Sequence, residues 1–176
     1  MSGMTPAQFL ILTTADCRAL VERNHVGRIA FAREGQVDIE PLGYVASGEW
    51  LFLRSAYGTK IEALAHNPFV AFEVDEVKGP FDWCSVVVYG TVYLLPEDGG
   101  PIERREYDRA LNALRAVLPG TLTSDDPAPM RQIVYGLHVN RWSGRMAQSR
   151  PTKEQARRKR QPVRTPPRRP KGRNGT

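Results

Sequence analysis

Apolar and polar positions alternate closely through the first half of the chain. Residues 28–32, Arg28-Ile-Ala-Phe-Ala32, predict a strand, with Glu34-Gly35 as the turn behind it. Residues 37–45 predict a second strand ending in the Ser47-Gly48 turn, and residues 50–54 a third. Two hairpins so tightly spaced predict an antiparallel meander. Residues 69–74 form a fourth strand, and a loop rich in Asp, Glu, Gly and Pro is expected over 75–82. Residues 83–95 are a long β-rich run with apolar residues on both faces, either central to a barrel or part of a subunit interface. Gly90 inside that run predicts a bulge or bend. Residues 133–142 give the last strand, and residues 1–11 show no clear pattern.

The period changes to that of a helix in three places. Cys17, Leu20 and Val21 predict a helix over 14–24, capped by Thr13 or Thr14 with Asp16 in the box position; His25 caps its carbonyls and Gly27 stops it. A second helix follows Gly58 through Ile61, Leu64 and Ala65 and ends before Pro68, with His66 near its end in the same capping role. A third spans 102–118, with Tyr107, Leu111, Leu114 and Leu118 on one stripe. Six strands in short hairpins with few flanking helices predict a mainly β protein, a small antiparallel barrel whose closure removes exposed edges.

Composition refines this picture at the C-terminus. Residues 151–176 hold ten Lys and Arg against one Glu, a charge of +9, which leaves −3 of the total +6 for the rest. The 176-residue chain therefore divides into a mildly acidic domain, 1–149, and a basic Pro/Arg-rich tail, 150–176, expected to be disordered. Such a tail is either a solubilising extension or an electrostatic arm for nucleic acid or anionic lipid. No stretch is apolar enough to cross a bilayer, and no secretory signal is visible. Cys17 and Cys84 read as free thiols in a reducing cytoplasm. His25, His66 and His138 are too scattered for a zinc site, so no metal is expected.

The densest chemistry lies where the second helix begins. Unpaired N–H groups and the positive end of the helix dipole meet Thr59 and Lys60 there. That is either an anion site suited to phosphate or a plain strand–helix corner with a solvated lysine. Glu40, Tyr44 and Tyr89 read as barrel-surface or packing residues, and Cys84 as a structural thiol.

Four segments carry a resemblance: Val26-Gly27-Arg28-Ile29-Ala30; Pro41-Leu42-Gly43-Tyr44-Val45; Leu51-Phe-Leu-Arg-Ser-Ala-Tyr-Gly-Thr-Lys60 with Leu64-Ala-His-Asn-Pro68 and Val70-Ala-Phe-Glu-Val74; and Ser85-Val-Val-Val-Tyr-Gly-Thr91. Together they resemble the pyridoxamine 5′-phosphate oxidase-like family of FMN-binding split β-barrels, nearer its small nitroimidazole-resistance-type bacterial branch. The resemblance implies a six-stranded split barrel and a homodimer with FMN, or alternatively a deazaflavin coenzyme, at its interface. It also implies an oxidoreductase that takes a hydride from a nicotinamide or deazaflavin and reduces a small organic acceptor. Carried over by position, Lys60 and Thr59 hold the phosphate, Arg54 and Ser55 line the phosphate–ribityl path, and Pro41 and Leu42 present backbone groups to the ring. Ser85 and Trp83 face the flavin from the other side or from the second subunit, and Trp142 and Arg145 reach it from the terminal segment. The vitamin-making oxidase has arginine and lysine where this chain has Asp38 and Gly43, and arginine at Thr59. These departures favour the alternative of a non-catalytic flavin, deazaflavin or haem binder on the same fold.

Overall fold

The computed structural model describes residues 6–149. In chain order its elements are β1 (Ala7–Ile11), α1 (Thr14–Arg23), β2 (Val26–Arg33), β3 (Gln36–Ser47), β4 (Trp50–Ser55), α2 (Thr59–His66), β5 (Phe69–Gly79), β6 (Asp82–Leu94), α3 (Pro101–Val117) and β7 (Ile133–Ser149). All ladders are antiparallel in the order β1-β7-β4-β3-β2-β5-β6, and β6 pairs back onto β7 to close a split barrel. The architecture is mainly β, as the alternation requires. Every second residue points inward: Ile29 and Phe31, Leu42 and Tyr44, Leu51 and Leu53, Phe72 and Val74, Val86 and Val88, Tyr135 and Leu137 fill the interior. Each such side chain contributes about 1.5–3 kcal/mol by leaving water. On the other face of β4 and β7, Phe52 and Val134 pack under Tyr107, Ala110 and Leu114 of α3.

The Thr13–Asp16 box forms as expected, with Asp16 N–H donating to Thr13 Oγ1 at 3.2 Å and Thr13 N–H to Asp16 Oδ2 at 3.3 Å. At the other end of α1 the cap is Asn24, not His25: its Nδ2 donates to the Leu20 carbonyl at 2.8 Å. Gly27 does not stop that helix. It lies buried within β2, where a Cβ would run into the Phe72 ring and the Glu73 carbonyl. Gly90 marks the bend expected of it, with the β6–β7 register shifting between Tyr89 and Gly90.

Two segments differ from the sequence expectation. Most of 75–82 is a hairpin, because β5 runs on to Gly79 and β6 starts at Asp82. Its acidic residues suit a ladder because arginines meet them. Arg28 reaches Glu73 at 3.0 Å and Asp75 at 2.6 Å, and Arg23 clasps Glu76 at 2.7 and 3.0 Å. Residues 7–11 form β1, a seventh strand, paired from Ala7↔Ser149 to Ile11↔Arg145 along a β7 that extends well past 142. Phe9, Leu10 and Ile11 are all exposed, so β1 has no in–out alternation to read. The tail expected over 150–176, with its nucleic-acid arm, lies outside the described residues. Among the described residues no helix is long and apolar enough to cross a membrane, and no three His, Cys, Asp or Glu group as a metal site.

Candidate functional site

β4 is covered on both sides, by the barrel interior and by α3, so it delivers its last residues into buried surroundings. Strand alternation sends Arg54 and Ser55 to opposite faces. Ser55 stays on the interior side beside Ile133. Arg54 turns to the α3 side and forms a fork with Asp126, Nη2 to Oδ1 at 2.7 Å and Nη1 to Oδ2. The Arg54 guanidinium holds the Asp126 carboxyl far below the usual carboxylate range, helped by N–H bonds from Leu122 at 2.8 Å and Ala128 at 2.9 Å. Leu122 stands at φ +53°, unusual for a branched residue, and its bond to Asp126 holds it there. The 119–132 connection is thus organised around one carboxylate.

Past β4 the chain turns at Gly58, whose φ of +156° is a conformation L side chains rarely adopt. Gly58 is also the N-cap of α2, so no side chain satisfies the first-turn amides. Thr59 is exposed at this end, whereas Lys60 is buried and its Nζ meets Glu40 Oε2 at 2.7 Å. Glu40 shares a face of β3 with buried Leu42 and Tyr44, which places its carboxylate over the α2 start. Glu40, read from the sequence as a surface or packing residue, is therefore the partner of Lys60. Its signal was the acid at an inward position of β3. Within the interior, the Tyr135 hydroxyl is buried and has no hydrogen-bond partner. Burial pushes that phenol up, and the Glu40 carboxylate adds to the shift.

The remaining expected residues lie elsewhere. Pro41 is exposed on the outer face of β3, opposite Arg28, while Leu42 is in the core. Ser85 Oγ donates to Glu73 Oε1 at 2.9 Å, and Arg145 stands across from Ser85 on β7. Trp83 packs with Phe9 at a ring separation of 6.3 Å. Trp142, half-buried, lies under the Arg18 guanidinium at 5.2 Å. Pro41, Trp83, Ser85 and Arg145 therefore share the outer face of the sheet. Arg145 is twelve residues along β7 from Ile133, the neighbour of Ser55. Lys60 and Glu40 form one corner; Trp83, Ser85 and Arg145 form another.

That outer face also holds Val37, Ile39 and Phe69, each about two-thirds exposed, beside Ala30, Ala71 and Tyr89. The other candidate groups are occupied. Tyr44 Oη donates to the Val21 carbonyl at 2.6 Å, and burial raises its phenol. Cys84 is raised by burial and by the Glu76 charge, so its thiol stays protonated near neutrality.

A family model described as pyridoxamine 5′-phosphate oxidase matches residues 13–146. The chain belongs to the pyridoxamine 5′-phosphate oxidase family. Among solved members of this fold, an FAD-binding protein from Mesorhizobium loti is 28% identical, with a TM-score of 0.64 over 81% of this chain and 99% of that one. A provisionally named 5-nitroimidazole antibiotic resistance protein from Bacteroides thetaiotaomicron shares the fold at 17% identity, with a TM-score of 0.59 over 82% and 90% of the two chains. An uncharacterised protein from Rhizobium meliloti is 32% identical over 90 residues, which span 51% of this chain and 60% of that relative.

Proposed function

We propose that the protein is a homodimeric flavin-dependent oxidoreductase that holds its cofactor's phosphate at the start of α2. One observation carries this reading: the buried Lys60 ammonium lies in the first turn of a helix whose amides have no side-chain cap. Those groups fit an oxygen-rich anion. The name of the Mesorhizobium loti protein, FAD-binding, supports a flavin as the bearer of that anion. When bound, a flavin supplies the hydride and electron chemistry itself. In this reading Lys60, Thr59 and the α2 amides bind the phosphate, and Ser55, five residues before Lys60, lines the path toward the ribityl chain. Trp83, Ser85 and Arg145 are on the outer face of the sheet, whereas Glu40 and Ser55 are at inward positions, so a second copy is the natural source of the outer set. A second copy docked through the apolar outer face around Val37, Ile39 and Phe69 would bring its own set to the cofactor. The acceptor we propose is a small aromatic, nitro or quinone compound.

Flavin fluorescence titration tests the site. Lys60→Ala weakens binding by about 1–3 kcal/mol if the ammonium bonds the phosphate; unchanged affinity removes Lys60 from it. Ile39→Asp should convert a dimer to a monomer by light scattering, with flavin affinity lost alongside. A second reading is a flavin carrier without turnover. It is favoured by the occupied state of Tyr44, Ser85 and Glu40, which leaves no unengaged general acid among these groups. Steady-state oxidation of reduced nicotinamide separates the two.

A further inference from the structure

Charge at the α2 corner is nearly balanced before any ligand arrives. Lys60 is countered by Glu40 at 2.7 Å, with 10% of the lysine side chain and 43% of the glutamate side chain exposed. Arg54, the next cation along the chain, faces the other way and is neutralised by Asp126. What remains for an incoming anion is the partial positive charge of the helix terminus, about half a unit, with first-turn amides that no side chain caps. A terminal phosphate monoester brings about −1.5 to −2 at neutral pH. A phosphate esterified on both sides brings a single charge, and in a dinucleotide the two charges sit on separate phosphorus centres. Repulsion from the Glu40 carboxylate therefore falls hardest on the monoester.

We infer that Glu40 is a specificity-determining residue, which by neutralising Lys60 makes the corner favour a flavin dinucleotide over a flavin mononucleotide. This rests on the flavin reading of the site. Glu40 is half-exposed at the barrel end, so its replacement disturbs little of the core, and its negative charge opposes every ligand oxygen that Lys60 attracts. Removing the charge while keeping the shape releases Lys60 to a dianion.

The test is fluorescence titration of the full chain, freed of flavin, with riboflavin, FMN and FAD, for the wild type, Glu40→Gln and Glu40→Ala. In both variants FMN affinity rises by about tenfold relative to FAD, and riboflavin, which has no phosphate, is unaffected. Thermal melts verify that the variants are folded. If the wild type binds flavins but the FMN-to-FAD ratio stays the same in both variants, or shifts toward FAD, the role of Glu40 is overturned and the flavin site stands. If the wild type binds none of the three, the flavin reading itself falls and takes this one with it.

Discussion

Two buried cations, six residues apart in the chain, have opposite surroundings. Arg54 meets an Asp126 side chain that is 1% exposed, in a two-pronged geometry, and that carboxylate also holds two backbone amides of its loop. Lys60 meets a Glu40 side chain that is 43% exposed, through one bond, at a helix end whose amides lack a cap. The first arrangement satisfies its donors and acceptors internally and acts as a lock. The second leaves donors over and has a partner that water can take back. A buried cation therefore says little about function until its counter-ion is located.

Breaking the lock gives the largest effect. Arg54→Met strands the Asp126 carboxylate without its cation, and the thermal midpoint followed by circular dichroism should fall by roughly 10 °C or more. A shift of only a degree or two would mean the pair is not structural. Lys60→Met should do the reverse: it leaves the midpoint within about 3 °C, because Glu40 re-solvates, and lowers flavin affinity as proposed for Lys60→Ala. Loss of stability without loss of affinity would reverse the contrast.

A third test uses acid. Glu76 is held at about 2 by its bonds from Arg23 and Asn24, down from an ordinary 4.5. A carboxyl lowered on folding adds stability that is complete above the unfolded value and is lost as pH falls toward the folded one. Melts between pH 4.5 and 2 should therefore decline, and Glu76→Gln should flatten that decline. Equal slopes in the two proteins would remove the Arg23–Glu76 clasp from the list of stabilising contacts. The smallest effect concerns the basic tail. Deleting 151–176 should leave flavin affinity and the thermal midpoint unchanged, while any retention on DNA at low salt disappears; retention that survives would place it on the barrel.

These contrasts were unevenly legible in the sequence. The barrel was, because inward positions such as Ile29, Leu42 and Val86 repeat with the strand period. Lys60 stood out through its place after Gly58. Glu40 was visible as an acid in phase with Leu42 and Tyr44, yet its partner lies past the next strand, 20 residues on in the chain, beyond the reach of local pattern. Asp126 was not legible at all: it sits in a Pro- and Asp-rich connection without period, and meets Arg54 across 72 residues. The hairpin over 75–82 was hidden by Asp75 and Glu76, whose charges look like loop until Arg28 and Arg23 are seen beside them. β1 carries no burial alternation, so only its ladder with β7 defines it.

That last strand serves three neighbours at once: β4 and β6 along its first half, β6 and β1 along its second. Until β7 has been synthesised, β4 and β6 each present an open edge, and β1 has nothing to pair with. The contacts that complete the cylinder join residue 7 to 149 and residue 50 to 138. Entropy is spent on long loops before these pairings return any of it, so refolding should run on the millisecond-to-second scale of non-local β topologies. During that interval the half-made sheet is most exposed to joining another chain.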